Sequence, residues 1–318
     1  MALRCAILDD YQNVALTLAD WTPLGGAVEV AVFNAPFADS AAAIAALEGF
    51  DIVCAMRERT AFSRAVLSAL PGLKLLITSG MRNAAIDLDA ARERGVVVCG
   101  TGSIGNPTAG LAIGLILELT RRIGFENARM KAGESWQVTL GEDLEGKTLG
   151  IVGLGKLGQK VAAVGKALGM GVKAWSTNLA REACAAAGVA YATKEELFET
   201  SDVISIHLVL SERSRGLIGG TDLARMKPTS YLVNTARGPI VDEAALLEAL
   251  RQRRIAGAGL DTFAREPLPL DHPFRKLDNV VLTPHLGYVT AENYRRFYGD
   301  MVEDIAAWLE GEPERRLA

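Results

Sequence analysis

Three side chains late in the sequence have types suited to proton and anion chemistry. They are Arg237 in "YLVNTARGPIVDEAAL", Glu266 in "AGAGLDTFAREPLP" and His285 in "NVVLTPHLG". An imidazole passes a proton near neutral pH. Each of the three follows an apolar run that reads as a β-strand, and Thr235, Ala236 and Asp261 stand at the same strand ends. Singly, each has an ordinary structural reading: an ion-paired arginine, an exposed turn glutamate before Pro267, a capped surface histidine. Together they point to a site, because ligands of open α/β sheets bind beyond the carboxyl ends of the strands.

Upstream, "GIVGLGKLGQ" places Gly153, Gly155 and Gly158 in a G-x-G-x-x-G pattern, with Lys156 and Leu157 before the last glycine. An apolar strand precedes the pattern and a helix-like segment follows. That context predicts a tight turn at Gly153, close backbone approach to a pyrophosphate at Gly155, and close helix–strand packing at Gly158. Such turns are usually followed about 20 residues on by an acid for the adenosine ribose. Here the position reads Ser176-Thr177-Asn178 in "AWSTN", and the first acid, Glu182, comes well after the strand.

These residues need strands and helices to hold them. The first hundred residues alternate strand-like runs ("CAILDD", "VEVAVFN", "DIVCAM", "LKLLITSG", "GVVVCG") with amphipathic segments. A second set begins near Lys147: "TLGIVGLG", "VKAWS", "VAYA", "DVISIHL", "SYLVNTA", "AGAGLDT" and "VVLTPHL". The runs are continuously apolar, as parallel strands covered on both faces are. The fold class is therefore α/β, with two doubly wound parallel sheets. Between the sets, "GNPTAGLAIGLILELTRRI" predicts a helix with Asn106 as N-cap and Pro107 at its first position. A last helix is expected in "TAENYRRFYGDMVEDIAAWLEG".

Composition narrows the function classes. The chain has 318 residues and a net charge of -4, so no global field favours nucleic acid or an anionic membrane. The basic run "RQRR" reads as a solvated helix end. Cys5, Cys54, Cys99 and Cys184 lack zinc-type pairing, no secretory leader is visible, and no apolar stretch is long enough to span a membrane. Buried thiols in a reducing cytoplasm are expected, with no metal.

The segments "GKTLGIVGLGKLGQKVA", "SDVISIHLVLSERSRGLIG", "LARMKPTSYLVNTARGPIVDEAALLEAL", "AGAGLDTFAREPLP" and "NVVLTPHLGYVT", with "KAGESW" before them, resemble the NAD(P)-dependent D-isomer-specific 2-hydroxyacid dehydrogenases. The resemblance implies a Rossmann cofactor domain, residues 102–286, inserted into a flavodoxin-like substrate domain, residues 1–101 and 287–318, with the active site in the cleft between them and a homodimer as the assembly. It implies hydride transfer between NAD or NADP and a small 2-oxo acid or D-2-hydroxy acid. His285 would be the general acid/base, Glu266 would favour its imidazolium, and Arg237 would clamp the substrate through its planar fork of donors. Asp261 would face the nicotinamide carboxamide. Thr235, Ala236, His207, Leu208 and Gly287 would line the cofactor.

Two departures bear on specificity. The substrate loop, often "AGxGxDN" in the family, reads "SGMRNAAID" here, so Ser79, Gly80, Met81 and Arg82 would contact substrate with Arg82 in place of the second glycine. Arg57 in "CAMRERT" resembles a strand-end arginine that helps bind phosphate in 3-phosphoglycerate dehydrogenases. Together they suggest a dianionic substrate, although Arg82 turned to solvent and Glu58 as a partner for either arginine are equally open. Ser176 in place of the acid implies weak coenzyme discrimination, with NADP(H) accepted and Arg181 as a candidate phosphate partner. A nucleotide-controlled corepressor-like binding protein is the alternative of another class. The formate dehydrogenase branch is disfavoured, because its N-terminal extension and proline-rich substrate loop are not seen.

Overall fold

The computed structural model describes residues 2–318 and divides into two units, Met1–Gly105 with Thr290–Ala318, and Asn106–Val289. In the first, strands β1 (Leu3–Ile7), β2 (Val28–Val32), β3 (Ile52–Ala55), β4 (Leu75–Thr78) and β5 (Val97–Gly100) form one sheet in the order β2-β1-β3-β4-β5. Every pairing between these strands is parallel. The central strands β3 and β4 are buried along their whole length, which is why their sequences do not alternate. Helix starts fall where side chains can cap them: Asp39, Ser63 and Asp87 each accept a hydrogen bond from a backbone N–H of the first turn.

The closing helix, Ala291–Leu309, is capped by Thr290 and belongs to this unit. Its buried Asp300 accepts from the Gly102 N–H (2.6 Å), and Asn293 accepts from the Ile104 N–H (3.1 Å). Past it, residues 315–318 run antiparallel along β5, with Gly100 N–H donating to the Arg315 carbonyl and Leu317 N–H to that of Val98. No sequence signal marked this added edge. Arg315 Nε donates to the fully buried Asp304 at 3.0 Å, yet burial still pushes that carboxyl up to about 7.

The second unit holds β6 (Thr148–Val152), β7 (Gly171–Trp175), β8 (Ala190–Tyr191), β9 (Val203–Ile206), β10 (Tyr231–Asn234), β11 (Gly257–Leu260) and β12 (Val280–Leu282). Their order is β12-β11-β10-β9-β6-β7-β8, again all parallel. Renumbered within the unit, six of the strands follow the 3-2-1-4-5-6 order of a Rossmann sheet, and β12 extends its edge. The helix Pro107–Arg121 buries Ala112, Leu115, Ile116 and Leu119 among Leu149, Ile151 and Val233. Leu115, Ile116 and Leu119 each contribute roughly 1.5–3 kcal/mol on burial.

The units divide a few residues later than the sequence boundaries 101/102 and 286/287. Asp300 and Asn293 hold residues 102 and 104 in the first unit, and the Thr108 hydroxyl, donating to the Gly287 carbonyl at 2.9 Å, keeps that turn in the second. The helix expected to end in "RQRR" stops at Arg251, and Arg253 beyond it pairs with Asp278 at 2.6 Å.

Candidate active site

The strand order of the second unit reverses between β6 and β9, and the glycine turn lies at that point. Gly153 has φ of +99°, and a β-carbon there would stand 2.8 Å from the His207 carbonyl oxygen at the end of β9. A β-carbon on Gly158 would fall 2.1 Å from the Gly153 carbonyl oxygen. Gly155 differs: a β-carbon there meets nothing within 4 Å, so its face is open. Gly155 also precedes the helix Lys156–Ala167 as its N-cap, and no side chain satisfies the first N–H groups. A cradle of free N–H groups at a helix N-terminus is a site for an anion.

Around this turn stand the other strand ends. After β7, Ser176 is half-buried while Thr177 and Asn178 are exposed. Arg181 is laid over the Tyr191 ring, 4.4 Å from its centroid. After β9, His207 Nε2 meets the Ser205 hydroxyl at 2.9 Å, and burial lowers its pKa to about 4, so the ring is neutral at physiological pH. Leu208 follows, with its side chain close against Gly153.

At the end of β10, the buried Asn234 shapes the next turn with its amide. Its oxygen accepts from the Ala236 N–H and its nitrogen donates to the Arg237 carbonyl, both at 3.0 Å. Arg237 Nη1 donates to the Ala236 carbonyl at 2.8 Å. The hydroxyl oxygens of Thr235 and Thr262 are buried without a hydrogen-bond partner in the protein. Gly238 lies so close to the Phe263 and Ala264 backbone that a β-carbon would overlap it at 2.1 Å. The Arg237 turn and the loop after β11 are thus fitted together.

The ends of β11 and β12 bring the histidine and glutamate into direct contact. His285 Nδ1 is 2.6 Å from Glu266 Oε2, and the other Glu266 oxygen accepts from the Phe263 N–H at 2.9 Å. An ionised carboxylate only accepts, so Nδ1 carries the proton and Nε2 is left for another partner. His285 has φ of 55°, a left-handed geometry that needs local support. Asp261 supplies it: Oδ1 accepts from the Thr283 hydroxyl (2.6 Å) and the Leu286 N–H (2.7 Å), and Oδ2 accepts from the Gly287 N–H (2.9 Å). Both oxygens of Asp261 are therefore committed to the His285 turn. Burial raises the Asp261 pKa against these bonds. Sequence reasoning took Asp261 for a nicotinamide contact and missed this grip, because the bonds join residues more than 20 positions apart and two of the three donors are backbone N–H groups.

Of the residues assigned to substrate, Arg237 and His285 lie in the second unit, and Arg57, Ser79, Gly80, Met81 and Arg82 lie in the first. Arg57, at φ of 55°, accepts an Asn83 amide bond at its carbonyl and donates from its own N–H to the Ser79 hydroxyl (2.9 Å). Its guanidinium occupies the space a Gly80 β-carbon would need and reaches the Ser79 carbonyl at 3.3 Å. Met81 and Arg82 are exposed on the same loop. Arg57 thus braces the loop, while Arg82 presents its charge outward.

The four cysteines are buried and form no disulfide, and the Cys5 and Cys54 thiols meet at 3.9 Å. Among the described residues no group of three or more His, Cys, Asp or Glu could hold a metal ion, and no helix is long and apolar enough to cross a membrane.

Known proteins share the fold that carries these residues. The model of the D-isomer specific 2-hydroxyacid dehydrogenase NAD binding domain matches residues 113–287. A glyoxylate reductase of Aeropyrum pernix is 39% identical over 255 residues, 77% of this chain and 76% of its own. A D-3-phosphoglycerate dehydrogenase of Mycobacterium leprae is 37% identical over 297 residues, 91% of this chain and 54% of its own. Among solved structures, a phosphoglycerate oxidoreductase from Vibrio cholerae superposes with a TM-score of 0.92 at 35% identity, covering 97% of this chain and 99% of its own. D-lactate dehydrogenase from Escherichia coli does so at 0.84 and 28%, over 99% of this chain and 100% of its own.

Proposed function

The chain belongs to the D-isomer-specific 2-hydroxyacid dehydrogenase family, and from that premise we propose that it reduces a small 2-oxo acid at C2, or oxidises the matching D-2-hydroxy acid, with a nicotinamide dinucleotide. The single observation that carries this reading is the His285–Glu266 pair, held at 2.6 Å beside the Arg237 turn in the same unit as the glycine cradle. The residues fit the dinucleotide: Gly155 leaves an open face at a helix N-terminus, and the Thr235 and Thr262 hydroxyls are buried polar groups that lack a protein partner. Lys156, Leu157, Gly158, His207, Leu208, Ala236 and Gly287 complete the proposed lining. The bound nicotinamide supplies or accepts the hydride.

In the reducing direction His285 Nε2 delivers a proton to the carbonyl oxygen, and in the oxidising direction it takes the hydroxyl proton. Glu266 steadies the ring through Nδ1. Arg237 holds the substrate carboxylate and carbonyl through its donor fork. Asp261 fixes the turn that presents His285. His285→Ala should abolish turnover and leave coenzyme affinity nearly intact, and loss of coenzyme binding along with activity would argue against the proton-transfer role.

The substrate-contacting element of the first unit is proposed to be the loop Ser79–Arg82, braced by Arg57. The exposed Arg82 favours a second reading, a substrate with an additional acidic group, as in a 3-phosphoglycerate dehydrogenase. Measuring turnover across a panel of 2-oxo acids with NADH and NADPH separates the two. Ser176 in place of an acid supports acceptance of both coenzymes. Arg181 already stacks on Tyr191, so little positive charge is set aside for a 2′-phosphate and discrimination is weak. A preference for NADH above about a hundredfold in kcat/KM, roughly 2.7 kcal/mol, would sink this reading. A homodimer is proposed from the apolar side chains Ile123, Met130, Trp136 and Leu140, which are 57%, 60%, 72% and 98% exposed. Light scattering on the purified protein tests it.

A further inference from the structure

The loop that carries Glu266 contains a second histidine–carboxylate pair with the opposite ring assignment. His272 Nε2 is 3.2 Å from Glu243 Oε1, and His272 Nδ1 accepts from the Phe274 N–H at 3.3 Å. A nitrogen that accepts from a backbone N–H carries no proton, so the proton sits on Nε2 and points at Glu243. Both ring nitrogens are thereby used within the protein. His285, in contrast, uses only Nδ1 for its carboxylate. His272 is consequently built to hold something, not to exchange a proton.

What it holds follows from the second oxygen of Glu243, which accepts from the Ala264 N–H at 3.2 Å. Glu243 is the first residue of the helix Glu243–Arg251, whose positive end favours a carboxylate. From that fixed point it bridges residues 264 and 272, the two ends of the segment that contains Glu266. Residues 264–267 are exposed and bury little, so packing alone does not fix them. The chain of contacts runs from His272 to Glu243, to Ala264, to its neighbour Phe263, whose N–H binds Glu266, and so to His285.

We infer that Glu243 and His272 form a clasp that positions Glu266, and through it the His285 ring, for proton transfer. The inference rests on the reading of His285 as the proton carrier. His272 and Glu243 are positioning residues: both ring nitrogens of one and both oxygens of the other are bonded within the protein. Opening the clasp lets the Glu266 segment drift, so the carboxylate holds the His285 ring less firmly in place. The groups facing the His285 ring are Glu266, Tyr288 and, behind the turn, Asp261.

Two isosteres separate the clasp from a mere helix cap. Asn at 272 mimics Nδ1 and keeps the Phe274 cap, while Gln mimics Nε2 and keeps the donor to Glu243. His272→Asn should lower kcat about tenfold, with coenzyme Kd and melting temperature close to wild type. His272→Gln should recover most of the lost kcat. Wild-type kcat in His272→Asn would overturn the clasp, and so would a His272→Gln enzyme as slow as the Asn variant. His285→Ala, assayed alongside, separates the two levels: if it retains turnover, the proton-carrier reading fails, whereas an inactive His285→Ala beside an unaffected His272→Asn removes the clasp alone.

Discussion

Gly155→Ala offers a test of dinucleotide binding that leaves the fold almost untouched. Gly155 has φ of −78° and ψ of −167°, an extended geometry any residue adopts, and a β-carbon there meets nothing within 4 Å. Alanine at this N-cap should cost under about 1 kcal/mol of stability. The added methyl fills the open cradle beside the first N–H groups of the helix Lys156–Ala167. Hydrogen bonds to a charged group are worth about 1.5–3 kcal/mol, so losing one weakens binding by about 10- to 150-fold. Gly158→Ala is the contrasting control: its β-carbon would sit 2.1 Å from the Gly153 carbonyl oxygen and 3.1 Å from Ile151 Cγ2. Overpacking of that kind costs about 1–3 kcal/mol, so this variant should lose several degrees of melting temperature as well as coenzyme affinity. Calorimetric titration with NADH and NADPH, alongside thermal melts, reads both quantities. A folded Gly155→Ala protein with unchanged coenzyme Kd would refute the cradle assignment, whatever Gly158→Ala does.

Two more outcomes follow from local chemistry. Ser176→Asp places a carboxylate where a ribose 2′-phosphate would lie, so the NADPH/NADH ratio of kcat/KM should fall at least about tenfold, close to one charge repulsion of 1.4 kcal/mol; an unchanged ratio contradicts the placement. Burial raises the Asp304 carboxyl from 3.8 to about 7, with Arg315 opposing the shift. The folded state then holds that proton more tightly than the unfolded chain between these values. Its contribution to stability is accordingly present at low pH and is lost as pH rises from about 4 to 7, by about 1.36 kcal/mol per unit or about 4 kcal/mol in all. Asp304→Asn should flatten that slope in denaturant titrations at pH 5 and pH 8, and a wild-type-minus-variant difference that stays constant across the window would rule the assignment out.

Much of the architecture was legible because its signals are local. Parallel strands buried on both faces, such as Ile52–Ala55 and Leu75–Thr78, must be continuously apolar, and all twelve strand-like runs fall on strands. Asn106 and Pro107 marked a helix start in the same way, although the Asn106 side chain makes no cap bond. Strand-end placement put Glu266 and His285 in one site, and the family resemblance implied their contact. What escaped was whatever depends on meeting across the sheet. Asp261 gripping residues 283–287, Glu243 bridging 264 and 272, and Thr108 tied to Gly287 join residues distant in sequence, and most of their partners are backbone groups, which carry no sequence identity. The antiparallel pairing of residues 315–318 with β5 was hidden for a related reason: four residues are too few to show a period. Arg57 and Arg82 looked alike in sequence, and only the position of Gly80 distinguishes the brace from the exposed charge.

The bonds described above for Arg237, Glu266 and His285 are made inside the unit Asn106–Val289, and those described for Arg57 and the Ser79–Arg82 loop are made inside the other. Under the function proposed above, reactivity and selectivity would be under separate structural control. A lineage, or an engineer, can rewrite the short loop after β4 to admit a longer or more acidic substrate without retuning the proton relay. The chemistry becomes a constant against which substrate range is free to vary.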